Sequence, residues 1–251
     1  ESHVDRSISD SDEFIQTNIF GTHVLLKASL KYFEKLKGPE KDNFKYIQIS
    51  TDEVYGSLKD KDPQSLEDSP YFPNSPYSAS KASGDHLARA WHETFGLPVI
   101  TTNCSNNYGP FQHKEKLIPL MISHSLKGKK LPIYGDGSNV RDWLYVKDHC
   151  DALSLVLKKG RTGETYNIGG KNEIKNIEVV TQICNLLDDV YPKKNGGSYS
   201  DQITFVEDRL GHDYRYGLNI SKIEKEIGWT PKENFSSGIN KTVEWYLKKI
   251  K

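Results

Sequence analysis

Short apolar runs alternate with longer amphipathic stretches along nearly all of this chain, and that alternation restricts it to an α/β fold with a largely parallel sheet. In Phe44 to Ser50, residues Tyr46, Ile47 and Ile49 make a strand apolar on both faces, as in a sheet covered from both sides. Val99 to Cys104 reads the same way, and further strands are expected at Leu131 to Tyr134, Trp143 to Val146, Thr165 to Ile168 and Ile203 to Val206. From Asp12 to Lys37 the residues Phe14, Ile15, Ile19, Val24, Leu25, Ala28, Leu30 and Phe33 recur at helical spacing up to Gly38-Pro39, which predicts one long helix. Ser75-Pro76 supplies an N-cap and a proline at the first helical position, starting a helix that stops near Phe95 before Gly96. Other helices are expected at Leu117 to Lys127, from Val146 to Lys159, at Ile177 to Val190 and at Ile239 to Lys249. Polar loops fill Ser57 to Asn74 and Tyr191 to Asp201.

Lysine plus arginine and aspartate plus glutamate both number 34, so no net field draws the chain to nucleic acid or an anionic membrane. An anion must be caught by a local cluster. Cys104, Cys150 and Cys184 are odd in number and widely spaced, which argues against a disulfide scaffold and a zinc site and for reduced thiols in the cytoplasm. No run approaches the ~18 apolar residues that span a bilayer, and the first residues lack signal-peptide character. No metal site is expected.

Two places carry chemistry. A Tyr-x-x-x-Lys match is weak alone: chance gives about 1.6 in a chain of this makeup, and two occur. Tyr55 and Lys59 open a loop, whereas Tyr77 and Lys81 share one face of a capped helix. The second pair can work as a base, because an ammonium ~4 Å from a phenol at effective ε near 20 lowers its pKa by about three units. An exposed Tyr and Lys on a helix is the ordinary alternative. Thr51-Asp52-Glu53 follows a strand, where open parallel sheets place ligands. Both carboxyls reach one substrate only if the backbone turns there, and environment can then hold one protonated and the other ionised. A capped turn is the plainer reading. Asn106-Asn107-Tyr108-Gly109-Pro110 lies past the next strand, as a ligand-facing or an ordinary turn. Only six arginines stand against 28 lysines, and Arg141 and Arg209 sit in or beside loops, placed for bidentate phosphate contact or for surface pairs.

The ordered segments Glu1 to Ser7, Ser50 to Gly56, Ser75 to Ser83, Asn103 to Pro110, Glu115 to Pro119, Arg141 to Val146, Tyr166 to Gly170 and Asp208 to Asp213 resemble the 4,6-dehydratases of the extended short-chain dehydrogenase/reductase family. The resemblance implies dehydration of dTDP-glucose to dTDP-4-keto-6-deoxyglucose, the kind of product that leads to rhamnose, with NAD oxidising C4 transiently. Tyr77 takes the O4 proton, Lys81 lowers its pKa and binds the nicotinamide ribose, and Thr51 holds O4. Glu53 removes the C5 proton while Asp52 protonates the departing C6 hydroxyl. Asn106, Lys116, Arg141, Asn176, Arg209 and His212 hold the sugar nucleotide, with Glu1 and Ser2 near the sugar. Siblings acting on GDP- or UDP-sugars, and a non-catalytic nucleotide-sugar-binding fragment, are the alternatives.

The same resemblance implies a doubly wound, Rossmann-like sheet that is N-terminally incomplete, with a smaller α/β substrate-binding domain. Residues 1–105, rejoined by 142–169, form the NAD-binding part; 106–141 and 170–251 form the sugar-nucleotide part. The family opens on a Gly-x-x-Gly-x-x-Gly turn that seats the NAD pyrophosphate, and this chain has none, so a fragment with an exposed edge at the Phe44 to Ser50 strand is expected. Leu210 stands where the family usually has proline. A homodimer through the 12–37 and 77–95 helices is expected.

Overall fold

A computed structural model describes residues 1–194 and 196–250, so Asn195, inside the expected Tyr191 to Asp201 loop, lies outside the described residues. The chain opens with α1 (Val4–Ser9), followed by α2 (Asp12–Phe14), a π-helical stretch Ile15–Phe20 and α3 (Gly21–Phe33). The predicted single helix over 12–37 is therefore interrupted. The widened turn carries Asn18, whose amide donates to Ser80 Oγ at 2.9 Å and to the Glu1 carbonyl at 3.0 Å. A buried polar anchor has displaced the ordinary helical ladder there. Gly38-Pro39 does not only end a helix; it starts another, α4 (Gly38–Asp42).

Next come β1 (Tyr46–Thr51), a single 3-10 turn Asp52–Tyr55, α5 (Pro76–Phe95), β2 (Val99–Cys104), β3 (Asn106–Tyr108), α6 (Leu117–Leu126), β4 (Leu131–Tyr134) and β5 (Val140–Tyr145). They are followed by α7 (Val146–Lys159), β6 (Thr165–Ile168), β7 (Glu173–Lys175), α8 (Asn176–Val190), β8 (Ile203–Val206), α9 (Ser221–Ile227) and α10 (Phe235–Ile250). The fold is α/β as expected. Strands β1, β2 and β6 form a parallel sheet in that order, with β1 at one edge. A second sheet has the order β3-β5-β7, its β5–β7 pair antiparallel, and β4 pairs with β8 in parallel.

Successive residues of a strand face opposite ways, and β2 shows what covers each side. Val99 packs with Leu26 of α3 and Ala88 of α5, whereas Ile100 packs with Ala152 and Val156 of α7 and with Ile223 and Ile227 of α9. Burying each of the valine, leucine and isoleucine side chains among them contributes roughly 1.5–3 kcal/mol. Leu218, Ile220 and Trp229 join this second core, so the chain returns late to the β1-β2-β6 sheet. A separate core gathers Ile118, Met121, Trp143, Val180 and Phe235 around β3, β5, α6, α8 and α10. The Ser57 to Asn74 stretch is tied down: Leu58 N–H donates to the Arg215 carbonyl and Ser65 N–H to the Gly217 carbonyl, both at 2.9 Å. Among the described residues no helix is long and apolar enough to cross a membrane, and no cluster of metal-ligating side chains occurs.

Candidate active site

β1 and β2 run in register, Thr51 beside Cys104, so their carboxyl ends deliver Thr51 and Asn106 to the same edge. Past Thr51 the backbone tightens into the 3-10 turn, which places Asp52 and Glu53 on a curved rather than a pleated backbone. Gly56 makes this possible. Its φ is +80°, and a Cβ there would lie 2.3 Å from the Phe72 carbonyl oxygen.

Asp52 is buried; its Oδ1 accepts from Thr51 Oγ1 at 3.1 Å, and its Oδ2 has no partner. Burial, then the charges of Glu53 and Asp142, push this carboxyl well above the usual carboxylate range. Glu53 is also raised, first by burial, but Arg141, Arg209 and Lys116 pull it back while Asp213 pushes it up. Neighbouring carboxyls thus occupy different electrostatic settings, one favouring the acid and one closer to ionisation.

α5 brings in Tyr77 and Lys81. The Ser75 hydroxyl accepts from Ser78 N–H and the Ser78 hydroxyl from Ser75 N–H, a reciprocal cap that fixes the first turn. Tyr77 N–H, otherwise unpaired, donates to the buried Ser7 hydroxyl at 3.2 Å. The Tyr77 phenol is pushed well above its ordinary value by burial and then by Glu53, with Cys104 and Asp52 adding to the rise and the Thr51 hydroxyl opposing it. Tyr77 and both carboxyls therefore meet in one electrostatic neighbourhood. The Lys81 ammonium donates to the Ile49 carbonyl at 2.6 Å, and burial lowers its pKa while Asp85 and Cys104 raise it.

A cavity of about 290 Å³ opens beside Glu53. Its wall includes Ser2, Asn106, Lys116, Arg141, Asn176, Arg209 and His212, seven of the expected substrate contacts, brought from six separate segments. Thr51, Asp52, Tyr77 and Lys81 are not part of that wall. Nor is Glu1, whose carboxylate pairs with Arg6 at 2.8 Å and whose terminal amine donates to Asn18 Oδ1 at 2.9 Å. Within the cavity, Asn106 Oδ1, Asn176 Oδ1 and Arg209 Nε are buried with no partner. Such groups are costly unless something completes them, and they suit a polar ligand. Arg141 spends three donors on the carbonyls of Val140, Asp213 and Tyr214, which leaves two of its five N–H groups free. His212 Nδ1 lies 2.6 Å from Asp208 Oδ1, and burial, then Arg209, lower its pKa. Leu117, Leu120, Ile133 and Val180 supply an apolar wall.

Sequence reasoning did not single out Tyr216. Its ring lies under the Arg141 guanidinium at 4.4 Å, and its hydroxyl sits 2.5 Å from Asp213 Oδ2 and 3.5 Å from Glu53 Oε2. No local motif marks it, because its partners are distant in sequence.

Residues 1–242 match the GDP-mannose 4,6 dehydratase family. A probable dTDP-glucose 4,6-dehydratase from Sinorhizobium fredii is 58% identical over 247 residues, covering 98% of this chain and 70% of that protein. dTDP-glucose 4,6-dehydratase 1 of Escherichia coli is 57% identical over 259 residues, covering 100% of this chain and 71% of that protein. Among solved structures, DesIV, a dTDP-glucose 4,6-dehydratase from Streptomyces venezuelae with NAD and TYD bound, superposes with a TM-score of 0.87 at 45% identity, covering 99% of this chain and 71% of that one. The chain spans about 70% of the length of the relatives it matches. With its α/β fold and the Tyr77, Lys81 and Thr51-Asp52-Glu53 arrangement, the chain belongs to the nucleotide-sugar 4,6-dehydratase family, on its dTDP-glucose 4,6-dehydratase branch.

Proposed function

We propose that the protein dehydrates dTDP-glucose to dTDP-4-keto-6-deoxyglucose. The observation that carries this reading is the pairing of a buried Asp52 held well above the usual carboxylate range with a Glu53 that burial also raises but that three cations pull back, both acting on the Tyr77 phenol. Elimination of water needs an acid and a base together, and an epimerase site does not. The dTDP-glucose relatives at 57–58% identity favour that nucleotide over GDP or UDP.

The donors present suit the nicotinamide ribose of NAD: Lys81 keeps two ammonium donors beyond its bond to the Ile49 carbonyl, at the carboxyl end of β1. Tyr77 and Lys81 would hold that end. The chemistry that NAD would supply there is acceptance of the C4 hydride and its return to C6. Tyr77 removes the O4 proton, and Thr51 orients O4. Glu53 takes the C5 proton, made acidic by the C4 ketone, while Asp52 gives a proton to the departing C6 hydroxyl. Arg141, Arg209 and Lys116 carry charge for the diphosphate; Asn106, Asn176, His212 and Ser2 complete polar contacts to the sugar nucleotide. For Glu1 the supporting argument is proximity through Ser2 rather than a free side chain.

The division into an NAD part (1–105 and 142–169) and a sugar-nucleotide part (106–141 and 170–251) fits the two larger cores, with 218–229 crossing back to the first. A homodimer through the 12–37 and 77–95 helices is supported by their exposed apolar residues Phe20, Val24, Leu25 and Phe95. The three free thiols suit the cytoplasm. The product would serve deoxysugar synthesis such as rhamnose formation.

The deciding experiment supplies full-length protein with dTDP-glucose and NAD and follows the 4-keto-6-deoxy product. Tyr77→Phe is expected to cut turnover by about 10²- to 10⁴-fold while leaving substrate affinity nearly unchanged. Equal weakening of both would remove Tyr77 from the role of base. Sedimentation of the same protein as a monomer at micromolar concentration would refute the dimer.

A further inference from the structure

Glu53 is the one carboxylate of the pair that lines the cavity, and its immediate polar neighbour there is a phenol, not a cation. The Tyr216 hydroxyl lies 2.5 Å from Asp213 Oδ2 and 3.5 Å from Glu53 Oε2. One phenolic proton cannot serve two carboxylates. The shorter distance assigns it to Asp213, which is itself anchored: its Oδ1 accepts from Asn74 Nδ2 at 2.7 Å, and its carbonyl accepts from Arg141 Nη2 at 2.9 Å. With its proton so committed, the Tyr216 oxygen turns a lone pair toward Glu53. An ionised Glu53 gains nothing from that lone pair, whereas a protonated Glu53 can donate to it.

We propose that Tyr216, held by Asp213, is a positioning residue for the elimination step: its oxygen receives the proton-bearing face of Glu53 as that carboxyl takes the C5 proton. This rests on the reading of Glu53 as the base. In the step, the C5–H bond breaks, its electron pair moves toward the C4 carbonyl, and an O–H bond forms on Glu53 that donates to Tyr216. The interaction is absent from the ground state and present once the proton has moved, so it raises kcat rather than affinity. The ring has a separate task, bracing the Arg141 guanidinium at 4.4 Å.

Tyr216→Phe removes the hydroxyl and keeps the ring. In full-length protein with NAD, we expect kcat to fall about tenfold or more, KM for dTDP-glucose to stay within about twofold, and dTDP affinity by calorimetry to be unchanged. The sign of the pH effect is specific. Arg141, Arg209 and Lys116 face Glu53 and favour its ionised form, Asp213 opposes it, and the lone pair of Tyr216 favours the protonated form. Losing it lowers the Glu53 pKa, so the acid limb of the kcat profile moves to lower pH. Tyr216→Leu, which also removes the ring, is expected to weaken dTDP binding as well. An unchanged kcat in Tyr216→Phe, a kcat loss with an unmoved acid limb, or a KM rise matching the kcat loss would each overturn the proposal. Wild-type protein that forms no 4-keto-6-deoxy product would instead sink the underlying function.

Discussion

Asp52 and Glu53 differ by one methylene and one position, yet their surroundings separate them. Asp52 sits in a dry corner where Asp142 adds like charge, and Asp142 is fixed there by Ser105 Oγ at 2.5 Å and by the N–H groups of Gly170 and Asn172 at 2.8 and 2.7 Å. Glu53 reaches the cavity and its cations. Glu53→Gln should therefore still permit oxidation at C4 but block loss of water, so that a 4-ketoglucose nucleotide is trapped on or released from the protein. Detection of that species by mass, with no 6-deoxy product, is the check; unimpaired dehydration would reject Glu53 as base. Much of this was legible in the sequence, because Thr51-Asp52-Glu53 and Tyr77 to Lys81 are contiguous and sit after a strand and a capped turn. Tyr216 was not, since it is one of 14 tyrosines and lies 163 positions from Glu53. The Lys81 contact to the Ile49 carbonyl was equally hidden, because helical spacing fixes which face a lysine leaves and not where its long chain ends.

At the scale of elements, α5 was the clearest prediction and β7 the least. Ser75-Pro76 announces the start of α5 and Gly96, at φ +67°, its end, and both boundaries agree with the sequence reading. β7, three residues long, has no periodicity to read and is defined by antiparallel pairing with β5. The π-helical turn at 15–20 was invisible for a related reason: apolar spacing reports which face is buried, while the break is set by Asn18 reaching Ser80. The cap of α5 has a functional consequence, because Tyr77 is the second residue inside it. Ser75→Ala leaves the Ser78 N–H without its acceptor in a buried site and should cost about 1 kcal/mol. It should also lower kcat more than it weakens dTDP binding, since the phenol moves while the cavity wall does not. Urea unfolding and steady-state kinetics on the same variant check both parts, and Ser75→Gly should be milder in stability by several tenths of that cost.

Across the whole molecule, two buried groups on opposite sides of the β1-β2-β6 sheet tie stability to pH with opposite signs. His149 of α7 is held neutral by burial, its pKa lowered from 6.5 to about 4. As pH falls below 6.5 the unfolded chain binds the proton first, so folding loses about 3 kcal/mol by the time pH reaches about 4. Asp85 of α5 is raised from 3.8 to about 6, chiefly by burial against the hydrogen bonds of Ser50 and Gln48 and the charge of Lys81. Here the folded state takes the proton first, and stability rises by about 3 kcal/mol as pH drops from about 6 to below 4. The two contributions nearly cancel between about pH 4 and 6, and each masks the other in the intact protein. Removing one exposes its partner. Relative to wild type, His149→Gln should gain stability as pH is lowered from about 7 to about 4.5, and Asp85→Asn should lose it over the same range. Urea midpoints at a series of pH values read this directly: parallel wild-type and variant curves would show that neither group titrates differently on folding.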